Sequence, residues 1–157
     1  MKLYHGSTID IAKVDLALSK PNKDFGRAFY LSDDRQQALE MAQFRAEFEE
    51  TEPVVNVYEF DETLFQEFRY KRFEAYTEEW AHFVYDHRTE PHGRTLHDYD
   101  IVYGPIANDR VGAQIARYKQ GYITFDEFLR SIQYIKGITF QYAFCTQRAI
   151  DKLEKIK

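Results

Sequence analysis

Short runs of β-branched and aromatic residues recur along the chain, and turn residues separate them from their surroundings. Runs of this length and composition are typical of β-strands. They predict strands at residues 2–4, 28–32, 54–60, 99–103 and 138–145. In the last run, Ile138, Phe140, Tyr142 and Phe144 share one face by period-two alternation. The other face then carries the smaller and more polar set of Thr139, Gln141, Ala143 and Cys145.

A helix is predicted directly after the second strand. Ser32 precedes Asp33 and Asp34, a combination that suits a helix N-terminus because carboxylates favour its positive end. Apolar residues then recur at helical spacing on one face, which predicts a helix running to about Glu49. The residues expected to face inward are Ala38, Met41, Ala42 and Phe48.

Two further helices have recognisable caps. Thr124 and Glu127 form a capping-box pattern ahead of an apolar run, which predicts a helix starting near Phe125. Thr146 is placed to cap a second helix, whose inward residues are expected to be Ala149, Ile150 and Leu153. Residues 62–88 carry apolar positions at mixed spacings of three and four, which predicts two helices with a break and little strand.

These elements predict an α+β protein with a mixed or antiparallel sheet and a helical insert between the middle strands, because the order lacks a steady strand-helix-strand repeat. The length of 157 residues and the 44% hydrophobic content are those of one domain, spanning residues 1–157, with an ample core.

Composition limits the kinds of function. Cys145 is the sole cysteine, so there is no intramolecular disulfide, and we expect a cytoplasmic protein without a membrane span or signal peptide. The net charge of −5 argues mildly against a nucleic-acid partner. His82, His87, His92 and His97 follow one another at spacings of five residues, which do not place them on one helix face, so no metal site is predicted.

Two segments near the N-terminus carry candidate chemistry. His5 and Gly6 fall at the end of the first strand, where a side chain reaches a ligand and a bare main chain can approach one. About twenty residues later, the polar loop that contains Asp24 and Gly26 leads into the aromatic strand with Tyr30.

Five segments of the chain form one pattern: Leu-Tyr-His-Gly-Ser, Asp-Phe-Gly-x-x-Phe-Tyr-Leu, Val-Asn-Val-Tyr-Glu-Phe-Asp, Tyr-Asp-Ile-Val-Tyr-Gly-Pro-Ile-Ala-Asn-Asp and Phe-Gln-Tyr-Ala-Phe-Cys-Thr. Together they resemble a bacterial family of unknown function that is placed in the ADP-ribosyltransferase superfamily. The likeness spans nearly the whole chain. It implies an ADP-ribosyltransferase-like sheet core and NAD as co-substrate.

The resemblance also implies roles for individual residues. His5 would bond ribose hydroxyls of NAD on the adenine or the nicotinamide side, and the main chain of Gly6 would pair with the nicotinamide amide. Tyr30 would stack on the nicotinamide ring, with core packing against Phe29 as the alternative. Ser7 and Arg27 would hold the diphosphate, Arg27 through charge-assisted hydrogen bonds.

The superfamily usually places a glutamate on a late strand, and its counterpart here is Gln141. A glutamine accepts a bond from a ribose hydroxyl, but it has no charge with which to stabilise the cationic ribose that forms as nicotinamide leaves. This departure argues against polymer formation. It leaves three alternatives: a carboxylate from Asp24, Asp109 or Glu59, an acidic acceptor, or an inactive protein.

The resemblance therefore implies a mono-ADP-ribosyltransferase with His5, Tyr30 and Gln141 as catalytic residues and an unknown protein or nucleic acid as acceptor. Bacterial relatives are commonly toxins, which implies an antitoxin protein as a partner. The alternatives are a catalytically inactive NAD or ADP-ribose reader and a nucleic-acid-modifying relative.

Overall fold

The computed structural model describes residues 1–134 and 137–156 of the chain. Strands and helices are mixed along these residues without a regular repeat, which confirms an α+β protein. The strands are β1 (Lys2–Ser7), β2 (Phe29–Leu31), β3 (Val54–Glu59), β4 (Tyr70–Arg72), β5 (Ile101–Pro105), β6 (Phe140–Phe144) and β7 (Glu154–Lys155). The α-helices are α1 (Arg35–Glu49), α2 (Glu78–Thr89), α3 (Val111–Lys119), α4 (Phe125–Ser131) and α5 (Gln147–Ile150), and Leu16–Leu18 and Glu62–Glu67 form 3-10 helices.

The strands form two sheets. The first has the order β1-β3-β7 and is antiparallel, whereas the second has the order β2-β6-β5-β4 and is mixed, because β4 runs parallel to β5. An isolated bridge between Tyr4 and Ser32 joins the sheets, with hydrogen bonds of 2.7 and 2.8 Å in the two directions. Pairing between β1 and the segment that follows β2 ends at this bridge.

Side chains alternate between the two faces of the second sheet, and each face packs in a separate hydrophobic core. One face of this sheet packs on the first sheet through Phe29, Leu31, Tyr142, Phe144, Leu3, Tyr58 and Phe60. The opposite face, with Val102 and Ala143, is covered by helical residues that include Trp80, Val84 and Phe128. The second sheet is therefore the middle layer, between the first sheet and the helices α2 and α4.

The expected strands are present with small shifts of their ends. The predicted alternation in β6 is confirmed, because Tyr142 and Phe144 lie in the core between the sheets and Ala143 in the core beneath the helices. Residues 62–88 contain two helical stretches, as predicted, but the first is a 3-10 helix and the break is strand β4. That strand has three residues and owes its place to parallel pairing with β5, which local sequence does not reveal.

Helix α1 begins as predicted but buries a different face. Its N-cap is Asp34, whose carboxylate accepts from the Gln36 amide. The buried residues of α1 are Ala38, Ala42 and Ala46, so the prediction that Met41 and Phe48 face inward is wrong. The cause is the close approach of α1 to β1, which leaves room only for alanine.

The two capped helices are confirmed. Thr124 and Glu127 form a complete capping box at α4, and the Thr146 hydroxyl accepts from the Ala149 amide at α5. Ala149 and Ile150 are buried as expected, whereas Leu153 follows the end of α5 and packs at the edge of the core between the sheets.

Candidate functional site

His5 is held against the main chain of β2. Its Nδ1 lies 2.6 Å from the carbonyl oxygen of Tyr30, and its ring centroid lies 4.3 Å from that of Phe29. Because a carbonyl only accepts, Nδ1 carries the proton and donates it to Tyr30. The imidazole is thus fixed in one orientation by one hydrogen bond and one aromatic contact.

Burial, helped by the nearby cations of Arg45 and Lys155, lowers the pKa of His5 to about 4 against the opposing effect of the hydrogen bond to Tyr30. The ring is therefore neutral at pH 7, with its only proton on Nδ1. Its Nε2 keeps a lone pair and forms no hydrogen bond within the described residues, yet it is not sealed from solvent. A neutral Nε2 in this state accepts a hydrogen bond, for which a ribose hydroxyl is a suitable donor.

The stability of the protein should fall between pH 7 and pH 4.5. The folded-state pKa of His5 lies below its unfolded value, so the unfolded chain binds more protons in this range and stability is lost as the pH falls. His5 should account for about 2 kcal/mol of this loss. Guanidinium titrations at the two pH values will measure the free energy of unfolding. The His5→Gln variant should lose less stability than the wild type between these pH values, and the variant of the exposed His92, His92→Gln, should lose as much as the wild type. Equal losses in all three proteins would contradict the assignment.

Gly6 follows His5 and is buried, with its main chain turned away from β3. The amide and carbonyl of Tyr4 point to Ser32, so by alternation those of Gly6 point to the same side, away from β3. Within the described residues they form no hydrogen bond to another backbone group. An N–H and a C=O side by side are the complement of a carboxamide.

The hydroxyl of Tyr30 closes the loop that leads into β2. It donates to the carbonyl of Gly26 at 2.7 Å and accepts from the amide of Phe25 at 2.9 Å. Burial, together with Asp24, raises the pKa of Tyr30 well above its usual value, so the phenol stays protonated. The ring lies at the edge of the core beneath the helices, whereas Phe29 lies in the core between the sheets, so Tyr30 does not pack in the same core as Phe29.

Gln141 lies beside a buried carboxylate. Its Nε2 donates to Oδ2 of Asp24 at 3.3 Å. The other oxygen of Asp24 accepts from Nε of Arg88 at 2.8 Å and lies 2.6 Å from a second guanidinium nitrogen. The structure thus singles out Asp24 among the three carboxylates considered as partners of Gln141. Glu59 instead meets the N-terminal amine, and Asp109 is exposed.

Ser7 and Arg27 are engaged inside the protein. Ser7 is buried, and its hydroxyl accepts from the amide of Ile9 at 3.4 Å. The guanidinium of Arg27 donates to the carbonyls of Ser19 and Ala17, which ties down the loop after the first 3-10 helix. A diphosphate contact from Arg27 would have to use its remaining N–H groups.

Other cations lie near His5 and Asp24, and the sequence did not predict them. Burial lowers the pKa of Lys23, and the charges of Arg88, Lys20 and Arg45 lower it further. Arg45 also acts on His5, so it lies within electrostatic reach of both residues. These cations come from separate parts of the chain, and no sequence motif links them.

Other prominent polar and aromatic side chains have partners within the protein. The Nε2 of His87 accepts a hydrogen bond from the Leu96 amide, and the Nε2 of His97 bonds the Phe25 carbonyl. Both histidines therefore hold loops in place near Asp24. Burial lowers the pKa of both histidines. Trp80 is fully buried, as a core residue should be. The basic residues at 69–72 each pair with a carboxylate: Arg69 with Asp98, Lys71 with Glu79, and Arg72 with Glu74.

Across residues 1–134 and 137–156, no three His, Cys, Asp or Glu side chains come together as a metal site would require. Burial raises the pKa of Cys145 to about 12, so its thiol stays protonated and is not a nucleophile at neutral pH. Two surface clefts, of about 310 and 820 Å³, lie elsewhere, and of the candidate residues Glu59 alone lines one of them, the larger. No helix in the described part of the chain has the length and apolarity to cross a bilayer.

The geometry therefore defines an α+β protein with polar groups of His5 and Gly6 where β1 and β2 part, together with Gln141 and Arg88 on the buried carboxylate of Asp24. The chain belongs to a family described as protein of unknown function DUF3990, whose profile matches residues 1–155. No curated protein and no solved structure matches it.

Proposed function

We propose that this chain has an ADP-ribosyltransferase-like core and is an NAD-dependent mono-ADP-ribosyltransferase. The observation that carries the proposal is the pair of polar groups at the end of β1 that form no hydrogen bond within the described residues. The Nε2 of His5 is an acceptor for a ribose hydroxyl, and the main chain of Gly6 offers the donor and acceptor that a nicotinamide amide requires. Both residues are rigidly held, so the site is organised before the ligand arrives.

The neighbouring residues fit the rest of the ligand. The part of the Tyr30 ring that remains accessible offers a flat surface for nicotinamide, and its two hydrogen bonds fix the ring plane. Lys23 and Arg45 would attract the diphosphate, because neither forms an ion pair within the described residues. Arg27 would support the loop beneath, through its bonds to carbonyls.

The reaction breaks the bond between C1′ of the nicotinamide ribose and the ring nitrogen, and the bonding electron pair leaves with nicotinamide. A nucleophile of the acceptor then forms a bond to C1′ and loses its proton to solvent. Positive charge develops on the ribose between these steps. Gln141 would bond a ribose hydroxyl, and Asp24 would supply the negative charge that Gln141 lacks.

The acceptor would be a protein or nucleic acid that approaches the bound NAD from solvent. A toxin role with an antitoxin partner belongs to the same proposal. Polymer formation is not part of it, since Gln141 replaces the glutamate.

The first test is release of nicotinamide from NAD by the purified protein. We expect His5→Ala and Gln141→Ala each to reduce the rate by about 100-fold, because both lose a contact that orients the reacting ribose. His92→Ala, at an exposed position, is the matched control and should release nicotinamide at the wild-type rate. Release that neither substitution affects would place the reaction elsewhere.

A second candidate is an NAD or ADP-ribose reader, favoured by the uncharged Gln141. A reader would bind NAD, shown by calorimetry, without releasing nicotinamide. His5→Ala would then weaken binding alone. Absence of NAD binding in the wild-type protein would remove both candidates.

A further inference from the structure

The outer face of α1 carries large apolar side chains that no core uses. Met41, Phe44 and Phe48 are 45%, 69% and 86% exposed, while the inner face of the helix is made of alanines. Exposed single apolar residues are common, but three on one stripe of a helix need an explanation.

The stripe has the spacing of a helix-pairing seam. Met41, Phe44 and Phe48 are separated by three and then four residues, which places them at positions a, d and a of a heptad. Glu40 and Glu47 then both occupy position g, where charges select the partner helix. The buried alanines occupy positions e, b and f and leave positions a and d free, so α1 can rest on β1 and still present these three apolar side chains.

The charge around the seam is strongly acidic. Between residues 33 and 52, the chain carries Asp33, Asp34, Glu40, Glu47, Glu49, Glu50 and Glu52 against Arg35 and Arg45. Acidic residues near the C-terminal end of a helix oppose its dipole. The glutamates around Glu49 therefore do not serve to stabilise α1.

We propose that this outer face, made of Met41, Phe44 and Phe48 with the flanking glutamates, docks an amphipathic helix of a partner protein that carries lysine or arginine beside its apolar seam. A second copy of α1 fits less well, because two copies of this acidic segment would repel each other and the chain has a net charge of −5. An anionic membrane is disfavoured by the same charges.

The test uses two synthetic 21-residue peptides with leucine at a and d. One has lysine at e and g, and the other has glutamate there, so each resists pairing with itself. Binding to the intact protein is measured by fluorescence anisotropy without NAD, and self-association by analytical ultracentrifugation. Phe44→Ser, Phe48→Ser and the double Glu40→Lys/Glu47→Lys are the variants. Leu18→Ser, at a residue 83% exposed outside α1, is the matched control.

We expect the lysine peptide to bind at least about tenfold more tightly than the glutamate peptide. The variants Phe44→Ser and Phe48→Ser should each weaken binding of the lysine peptide about 30-fold, whereas Leu18→Ser should leave this binding unchanged. The glutamate-to-lysine variant should reverse the preference between the peptides. Equal binding of both peptides, or binding insensitive to Phe44, would overturn the proposal. Self-association that Phe44→Ser abolishes would also overturn it, since the occupant would then be a second copy.

Discussion

Replacing Gly6 by alanine should lower the free energy of unfolding by about 3 kcal/mol or more. A Cβ at this position would lie 2.1 Å from the carbonyl oxygen of Ala38 and 2.8 Å from the amide nitrogen of Ala42. Both atoms belong to the backbone of α1, so no side-chain rotation relieves the clash and the helix itself must move away from β1. Chemical denaturation followed by circular dichroism will measure the loss.

Gly112 provides the matched control for this substitution. It lies in α3, and an added Cβ meets no atom within 4 Å. Gly112→Ala should therefore be neutral or raise stability by about 0.5–1 kcal/mol, because alanine favours the helix. If Gly6→Ala were as stable as Gly112→Ala, the close packing of α1 on β1 would be wrong.

The same contact shows where prediction from sequence succeeds and fails. The start and length of α1 follow from local signals, and so do the capping box at Thr124 and the alternation in β6. Which face of α1 is buried depends on Gly6, more than thirty residues away. Hydrophobicity alone assigned Met41 and Phe48 to the interior, whereas the glycine in β1 admits only alanines there.

Helix α3 was missed for a different reason. It starts after Arg110, which forms no side-chain cap, so the sequence carries no start signal. Strand β4 was missed because three residues gain their pairing only from β5. Both elements depend on tertiary contacts that local propensity does not encode.

For the candidate site, the sequence identifies positions but not the bonds between them. His5 and Tyr30 were expected to act on one ligand, and the structure brings His5 onto the Tyr30 carbonyl. Asp24 was one of three carboxylates considered, and only contact with Gln141 distinguishes it. Arg88 could not be inferred, because its partner lies 64 residues away in the sequence.

Asp24→Asn should reduce nicotinamide release by about 100-fold if Asp24 supplies the charge that Gln141 lacks. Asparagine keeps nearly the same shape but removes the negative charge near the cationic ribose. Single-turnover measurements at saturating NAD will separate the chemical step from binding. Glu59→Gln and Asp109→Asn, which neutralise the other two carboxylates, are matched controls and should react at the wild-type rate.

The substitution also leaves Arg88 without its partner, which could lower activity through the structure alone. Arg88 is partly buried, so an unpaired guanidinium there destabilises the surrounding loop. The double variant Asp24→Asn/Arg88→Met removes that unpaired charge and should recover most of the lost stability. Nicotinamide release should stay low in the double variant, because the negative charge is still missing. If the double variant regained the wild-type rate, Asp24 would serve only to hold Arg88, and the charge needed for the reaction would have to come from the acceptor.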